Sequence, residues 1–207
     1  MYISNVRVYD LEESIVASGF PMDTMFDEIG FLDSVDDLKA GKNDAALQRA
    51  VRLASMPDGS GHKNFLSGIL VSFNVTATQV WWMQFERYHF AQIVSSQSKM
   101  HRLKKMIDFK FSCPADPNGI VGIDTWRFLY ELLQKVESGE APEEKLIYEC
   151  PVGLELTARV TTNYLQLRTI FTQRKNHKLQ EWRDFCAWVS ELPFAREFIT
   201  LEEPENV

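Results

Sequence analysis

Residues 68–90 read "GILVSFNVTATQVWWMQFERYHF", and this stretch restricts the fold most. The first part (68–76) is rich in β-branched residues, the composition of a strand. The second part (78–89) reads as a helix, with Thr78 placed to cap it. Within residues 81–90, five aromatics share the stretch with Gln84, Glu86, Arg87 and His89. Aromatics in such density belong to a core. A core does not readily take an Arg and a His unless something pairs with them. The segment is therefore expected to have a packed side and a working side.

The rest of the chain supplies the layers around it. "YISNVRVYD" (2–10) alternates like a strand, with Ile3, Val6 and Val8 apolar. "DLEESIVASGF" follows as a short helix with Asp10 as its cap. Residues 21–44 are acidic and broken by Pro21, Gly30 and Gly41, so loop with little helix is expected. "NDAALQRAVRLASM" (43–56) reads as a helix capped by Asn43 or Asp44. Residues 57–64 and 112–119 have loop composition, and 100–109 is ambiguous between states. "DTWRFLYELLQKVESG" (124–139) carries a clear helical stripe of Trp126, Leu129, Leu132, Leu133 and Val136, with Gly139 suited to its end. "PEEKLIYEC" is a short helix with Pro142 at its start, and 154–162 is a strand. "NYLQLRTIFTQR" and "KLQEWRDFCAWVSEL" are two further helices. The mix is α+β with helices in the majority.

Composition narrows the functional classes. A hydrophobic share of 45% over 207 residues is enough to bury a sizeable core. The start of the chain lacks the basic and apolar runs of a signal peptide, and no apolar run is long enough to span a bilayer. A cytoplasmic location is expected. Cys113, Cys150 and Cys186 are too widely spaced for a disulfide framework or a zinc knuckle, and the four His are scattered, so no metal site is expected. A net charge of −7 argues against a nucleic-acid duplex as partner. The charge is uneven, however. Residues 84–105 hold Arg87, Lys99, Arg102, Lys104 and Lys105 against Glu86 alone. Residues 159–183 hold Arg159, Arg168, Arg174, Lys175, Lys178 and Arg183 against Glu181 alone. Two basic segments in an acidic chain can meet around a small anion, or each can be a solvated helix face.

There is no glycine-rich phosphate loop, no HExxH and no GxSxG. What remains is a layout. Gln84 and Arg87 share a helix face. His89 can join them only if the helix ends near Tyr88. The polar run Ser95, Ser96, Gln97, Ser98 and Lys99 follows, able to hold a phosphate or to form an exposed loop. Asn163 stands where a strand gives way to a helix, and Arg174 lies eleven residues on, near the break at "RKNHK".

This layout resembles the flavin-dependent thymidylate synthases. The resemblance pairs "FNVTATQVWWMQFERYHFAQIVSSQSKM" with "TTNYLQLRTIFTQRKNHKLQEW" and is strongest over residues 60–185. Gln84 and Arg87 fit the Gln and first Arg of the family's Arg-His-Arg element. Asn163, Arg174 and Gln180 reproduce its later Asn, Arg and Gln spacing, and Pro151 its preceding Pro. The resemblance implies one domain over 1–207, with a helix-rich α+β fold around a small, mostly antiparallel sheet. It implies FAD as cofactor and a homotetramer with shared active sites. It implies reductive methylation of dUMP to dTMP, with methylenetetrahydrofolate and NADPH as co-substrates. By resemblance, Arg174 is the catalytic residue and binds the pyrimidine. Gln84, Arg87, Ser95, Ser96, Gln97, Ser98 and Lys99 also hold the nucleotide. Arg87, Tyr88, His89, Asn163 and Thr169 face the flavin.

The chain departs from the family's pattern at several positions. Tyr88 and His89 replace a His and an Arg, Gln97 a Ser, Lys99 an Arg, Gly68 a His and Ile147 an Arg. Charge-assisted contacts of that kind are worth about 1.5–3 kcal/mol each. Three functions stay open: thymidylate synthesis, the same fold transferring hydroxymethyl or acting on another nucleotide, and a non-catalytic nucleotide-binding homologue.

Overall fold

The computed structural model describes residues 1–57, 59–112 and 119–201. Cys113, most of the 112–119 loop and nearly all of the acidic tail lie outside them. The four strands are β1 (Tyr2–Tyr9), β2 (Leu70–Thr78), β3 (Gln92–Ser96) and β4 (Glu155–Asn163), in one antiparallel sheet of order β1-β2-β4-β3. The helices are α1 (Leu11–Ala17), α2 (Glu28–Lys39), α3 (Asp44–Ser55), α4 (Gln79–Phe85), α5 (Lys99–Ser112), α6 (Ile123–Glu137), α7 (Glu144–Tyr148), α8 (Tyr164–Arg174) and α9 (Gln180–Ser190).

The two central strands show why this sheet forms. Val71, Phe73, Val75 and Ala77 of β2 are fully buried, as is Val160 of β4. The alternate residues face the other way and pair across the ladder. Ser72 and Thr161 hydroxyls meet at 2.9 Å, Thr76 and Thr157 at 2.8 Å. Side chains of period two thus give one face to the core and the other to polar cross-strand pairs.

Over the buried face lies an aromatic core. Trp81 stacks on Phe85 with ring centroids 4.5 Å apart and meets Trp182 at 5.0 Å. Phe73, Phe185 and Trp188 extend the group. Trp81 Nε1 is enclosed by these rings without a hydrogen-bond partner. A second cluster joins Leu103 and Ile107 of α5 to Trp126, Leu129, Leu132 and Leu133 of α6 and Leu146 of α7.

One buried polar contact locks the layers together. Glu181, on the first turn of α9, is 5% exposed. Its carboxylate accepts from Thr78 N at 2.9 Å and from Thr78 Oγ1 at 2.5 Å. Thr78 Oγ1 in turn accepts from Trp81 N at 3.4 Å, as expected of an N-cap. A carboxylate at the start of α4 thereby satisfies donors the helix leaves open.

Several expectations are corrected. Residues 21–44 are not mainly loop: they contain α2, a helix of 12 residues. Val35 and Leu38 are buried, so packing overrides the acidic composition, and Gly41 ends the turn at φ 72°. Asp10 precedes α1 but makes no side-chain cap. It lies in the left-handed region (φ 56°), and only its carbonyl joins the helix, accepting from Ser14 N at 3.0 Å. The ambiguous 100–109 segment belongs to α5, fixed by burial of Leu103 and Ile107. The helix expected over 78–89 stops at Phe85. Pro142 stands two residues ahead of α7 rather than opening it. The polar run after residue 90 is not a loop throughout, because Gln92–Ser96 form β3 at the sheet edge.

Candidate functional site

The early end of α4 creates the site. No Gly or Pro stops the helix. Tyr88 and Ala91 instead turn inward to burial, and Thr162 Oγ1 on β4 donates to Phe90 O at 3.0 Å. The segment 86–91 is thus pinned against the sheet. Tyr88 goes inside while Arg87, His89 and Phe90 remain exposed beside it.

The opposite wall is α8. Asn163 leaves β4 in extended conformation, and its Oδ1 accepts from Gln166 N at 2.8 Å. That cap starts α8 at the sheet end. The helix then presents Gln166, Thr169, Gln173 and Arg174 toward the 86–91 turn. Together these elements enclose an open cleft of about 360 Å³. Arg87, Tyr88, His89 and Phe90 line one side, and Gln166, Thr169, Gln173 and Arg174 the other.

Arg174 is held from several directions. Its Nε donates to Tyr88 OH at 2.8 Å, and one terminal nitrogen donates to Gln84 Oε1 at 3.2 Å. Trp182 Nε1 donates to that same Gln84 oxygen at 3.0 Å. Tyr88 OH donates onward to Gln173 Oε1 at 2.9 Å. The guanidinium carbon lies 4.8 Å from the Trp182 ring centroid and 5.7 Å from that of Tyr88. Stacking of this kind is worth about 0.5–2 kcal/mol and fixes the plane of the group. Every one of these partners is uncharged. Among the described residues, no carboxylate lines the cleft.

The positive field reaches neighbouring groups. His177 is held below the usual histidine range, first by desolvation and then by the charges of Arg174 and Arg183. Its Nδ1 accepts from Leu179 N at 3.1 Å, a role for the neutral ring. The Cys186 thiol behind the site is pushed up to about 11 by burial, with Arg174 pulling in the opposite direction. It is an inert thiol rather than a nucleophile.

Not every residue singled out in the sequence reaches this cleft. Gln84, Arg87, Tyr88, His89, Thr169 and Arg174 gather at or behind it. Asn163 spends its side chain as a helix cap. Ser95 and Ser96 lie exposed on the edge strand β3. Gln97 pairs with Thr157, its N donating to Thr157 O and its Oε1 accepting from Thr157 N, both at 2.9 Å. Ser98 O accepts from Arg102 N at 3.1 Å as α5 begins. Lys99 Nζ donates to Gln79 Oε1 at 2.5 Å, and Gln79 Nε2 in turn reaches Pro151 O at 3.4 Å. Within one chain the Ser95–Lys99 segment is therefore a separate group. Gln180, the third residue of the later spacing, is exposed and pairs with Asp184. Gly68 packs closely, since a Cβ there would meet Ser14 Oγ at 2.6 Å. Gln166, Gln173 and Trp182 complete the site; they lie within the stretch 161–182, but its Asn, Arg and Gln spacing does not single them out. The helical spacing of 166, 169 and 173 is their one trace in the sequence.

No protein-family model matches the chain, and no curated protein sequence matches it. Solved structures do. The chain is similar to the flavin-dependent thymidylate synthase ThyX of Helicobacter pylori, solved in complex with FAD and dUMP. The TM-score is 0.69 at 14% identity, covering 97% of this chain and 98% of that one. A second structure of ThyX from that organism, with FAD and dUMP, gives a TM-score of 0.64 at 15% identity, covering 96% and 95%. The chain has the flavin-dependent thymidylate synthase fold.

Proposed function

We propose that this protein is a flavin-dependent enzyme that transfers one carbon to a pyrimidine nucleotide. The reaction is reductive methylation of dUMP to dTMP. Methylenetetrahydrofolate supplies the carbon and leaves as tetrahydrofolate, while NADPH and a proton supply the reducing equivalents. The observation that carries the reading is Arg174, a clamped guanidinium with only uncharged partners. Such a group is preorganised to stabilise negative charge developing on a ligand.

The lining of the cleft suits the ring of a flavin or of a pyrimidine nucleotide. Arg87 gives it a cationic rim, Tyr88 and Phe90 give it aromatic surface, His89 adds a hydrogen-bonding ring, and the Gln166 side chain has an uncommitted amide. Arg87, Tyr88, His89 and Thr169 are the residues that would hold FAD. When bound, FAD supplies the redox chemistry, so no protein nucleophile is required. Arg174 donates to the pyrimidine where charge develops at N3, and Trp182 and Tyr88 keep its plane fixed. Gln84 orients Arg174 and Trp182 through one shared oxygen. Ser95, Ser96, Gln97, Ser98 and Lys99 serve the cleft of a neighbouring copy in a homotetramer. The reading is tested by Arg174→Ala, which is expected to lose turnover while keeping its fold.

A second reading is favoured by Tyr88 and His89, which stand where the resemblance places His and Arg. On that reading the fold transfers hydroxymethyl or acts on another nucleotide. Mass spectrometry of products from a panel of uridine and cytidine nucleotides separates the two.

A further inference from the structure

We infer that Gln166 is a ligand-contacting residue, its amide reading a paired donor and acceptor on the edge of a nitrogen heterocycle in the Arg174 cleft. The inference rests on the flavin and pyrimidine reading of that cleft. Gln166 is 8% exposed and lines the cleft. Its backbone N–H is taken by the Asn163 cap. Its side-chain amide makes no hydrogen bond to any described residue. Buried amides are nearly always satisfied, by protein, by ordered water or by a bound ligand that displaces it. Nor is this amide sealed away, because the fully enclosed unpartnered atom among the described residues is Trp81 Nε1.

Its neighbours on α8 sharpen the point. Gln166, Thr169 and Gln173 recur at i, i+3 and i+7 and form a row along one side of the helix. Thr169 Oγ1 donates to Leu165 O at 3.1 Å. Gln173 Oε1 accepts from Tyr88 OH at 2.9 Å. Gln166 alone of the three keeps both its carbonyl and its NH2 uncommitted. A primary amide with both functions free matches a ring edge that offers C=O beside N–H. Uracil and the pyrimidine ring of a flavin both carry that edge. The cations Arg87 and Arg174 favour a ligand that also bears phosphate or developing negative charge.

The test uses the full chain and three variants. Gln166→Leu and Gln166→Met remove both hydrogen-bonding functions at near-constant volume, and Gln166→Glu keeps an acceptor but loses the donor. Thermal melts followed by circular dichroism identify variants that fold. FAD affinity is measured by fluorescence quenching and dUMP affinity by calorimetry. In folded Leu and Met variants, affinity for at least one ligand is expected to fall about tenfold or more. The ligand that loses affinity is the one whose edge Gln166 reads. Should the Leu variant fail to fold, the Met and Glu variants decide. Wild-type protein that binds both ligands, with folded variants binding them equally well, overturns the inference and leaves the proposed function standing. Wild-type protein that binds neither ligand overturns both.

Discussion

At the scale of single residues, Arg174 is the focus. Its guanidinium is fixed by hydrogen bonds and by a ring face, and none of its partners neutralises it. Arg174→Ala is expected to lower kcat by about a hundredfold to a thousandfold, the usual loss when a preorganised electrostatic donor is removed. Arg174→Lys should recover little, since an ammonium cannot reproduce a planar fork stacked on Trp182. Steady-state kinetics beside a melting curve check both. Tyr88→Phe deletes the hydroxyl between Arg174 and Gln173 and is expected to reduce kcat/KM with the fold intact. His177 reports the same field. Its folded pKa lies below the ordinary value, so its folded form resists protonation. The stability that depends on neutral His177 is fully present above about pH 6.5 and is lost as pH falls from there through the lower folded value. An NMR titration of the His177 ring should place its midpoint below the ordinary range. The midpoint should move upward in Arg174→Gln.

At the scale of elements, the contact between Glu181 and Thr78 ties α9 to the start of α4. It sets the distance between Trp182 and Gln84, on which the Arg174 clamp depends. Glu181→Ala would leave the Thr78 N–H and hydroxyl buried without their acceptor. The expected cost is about 2–4 kcal/mol in urea unfolding, with a lowered midpoint and an unchanged slope. The elements also show what the sequence makes legible. β2, β4, α6 and the Thr78 and Asn43 caps follow from local pattern, because propensity and burial agree there. α2 and β3 do not. α2 owes its helix to two buried residues, Val35 and Leu38, beneath an acidic exterior. β3 exists because β4 offers an unpaired edge, and Ser95 and Ser96 carry no strand signature of their own. The site divides in the same way. Gln84 and Arg174 could be singled out by spacing. Gln166 and Trp182 become part of it only through the tertiary meeting of α8, α9 and the 86–91 turn.

At the scale of the whole molecule, the aromatic core and the sheet bring parts of two basic segments of an acidic chain to one cleft. One contributes Arg87 and His89 to the cleft, and the other contributes Arg174. The remaining polar group, from Ser95 to Lys99, lies apart within one chain, and in the proposed homotetramer a second copy would bring it to the cleft. Mixing inactive Arg174→Ala protein with inactive Lys99→Ala protein is therefore expected to restore activity after subunit exchange. Each variant supplies what the other lacks, and an inactive mixture of exchanged subunits would contradict shared sites.

On the proposed function, this fold binds a flavin and works on a pyrimidine nucleotide. The visible absorption spectrum of the purified protein, recorded with added FAD and then with dUMP, tests it most directly. The expected result is a protein-bound flavin band that shifts when dUMP is added, with the shift lost in Arg174→Ala. A protein that stays colourless after removal of free FAD, with or without dUMP, would contradict the claim.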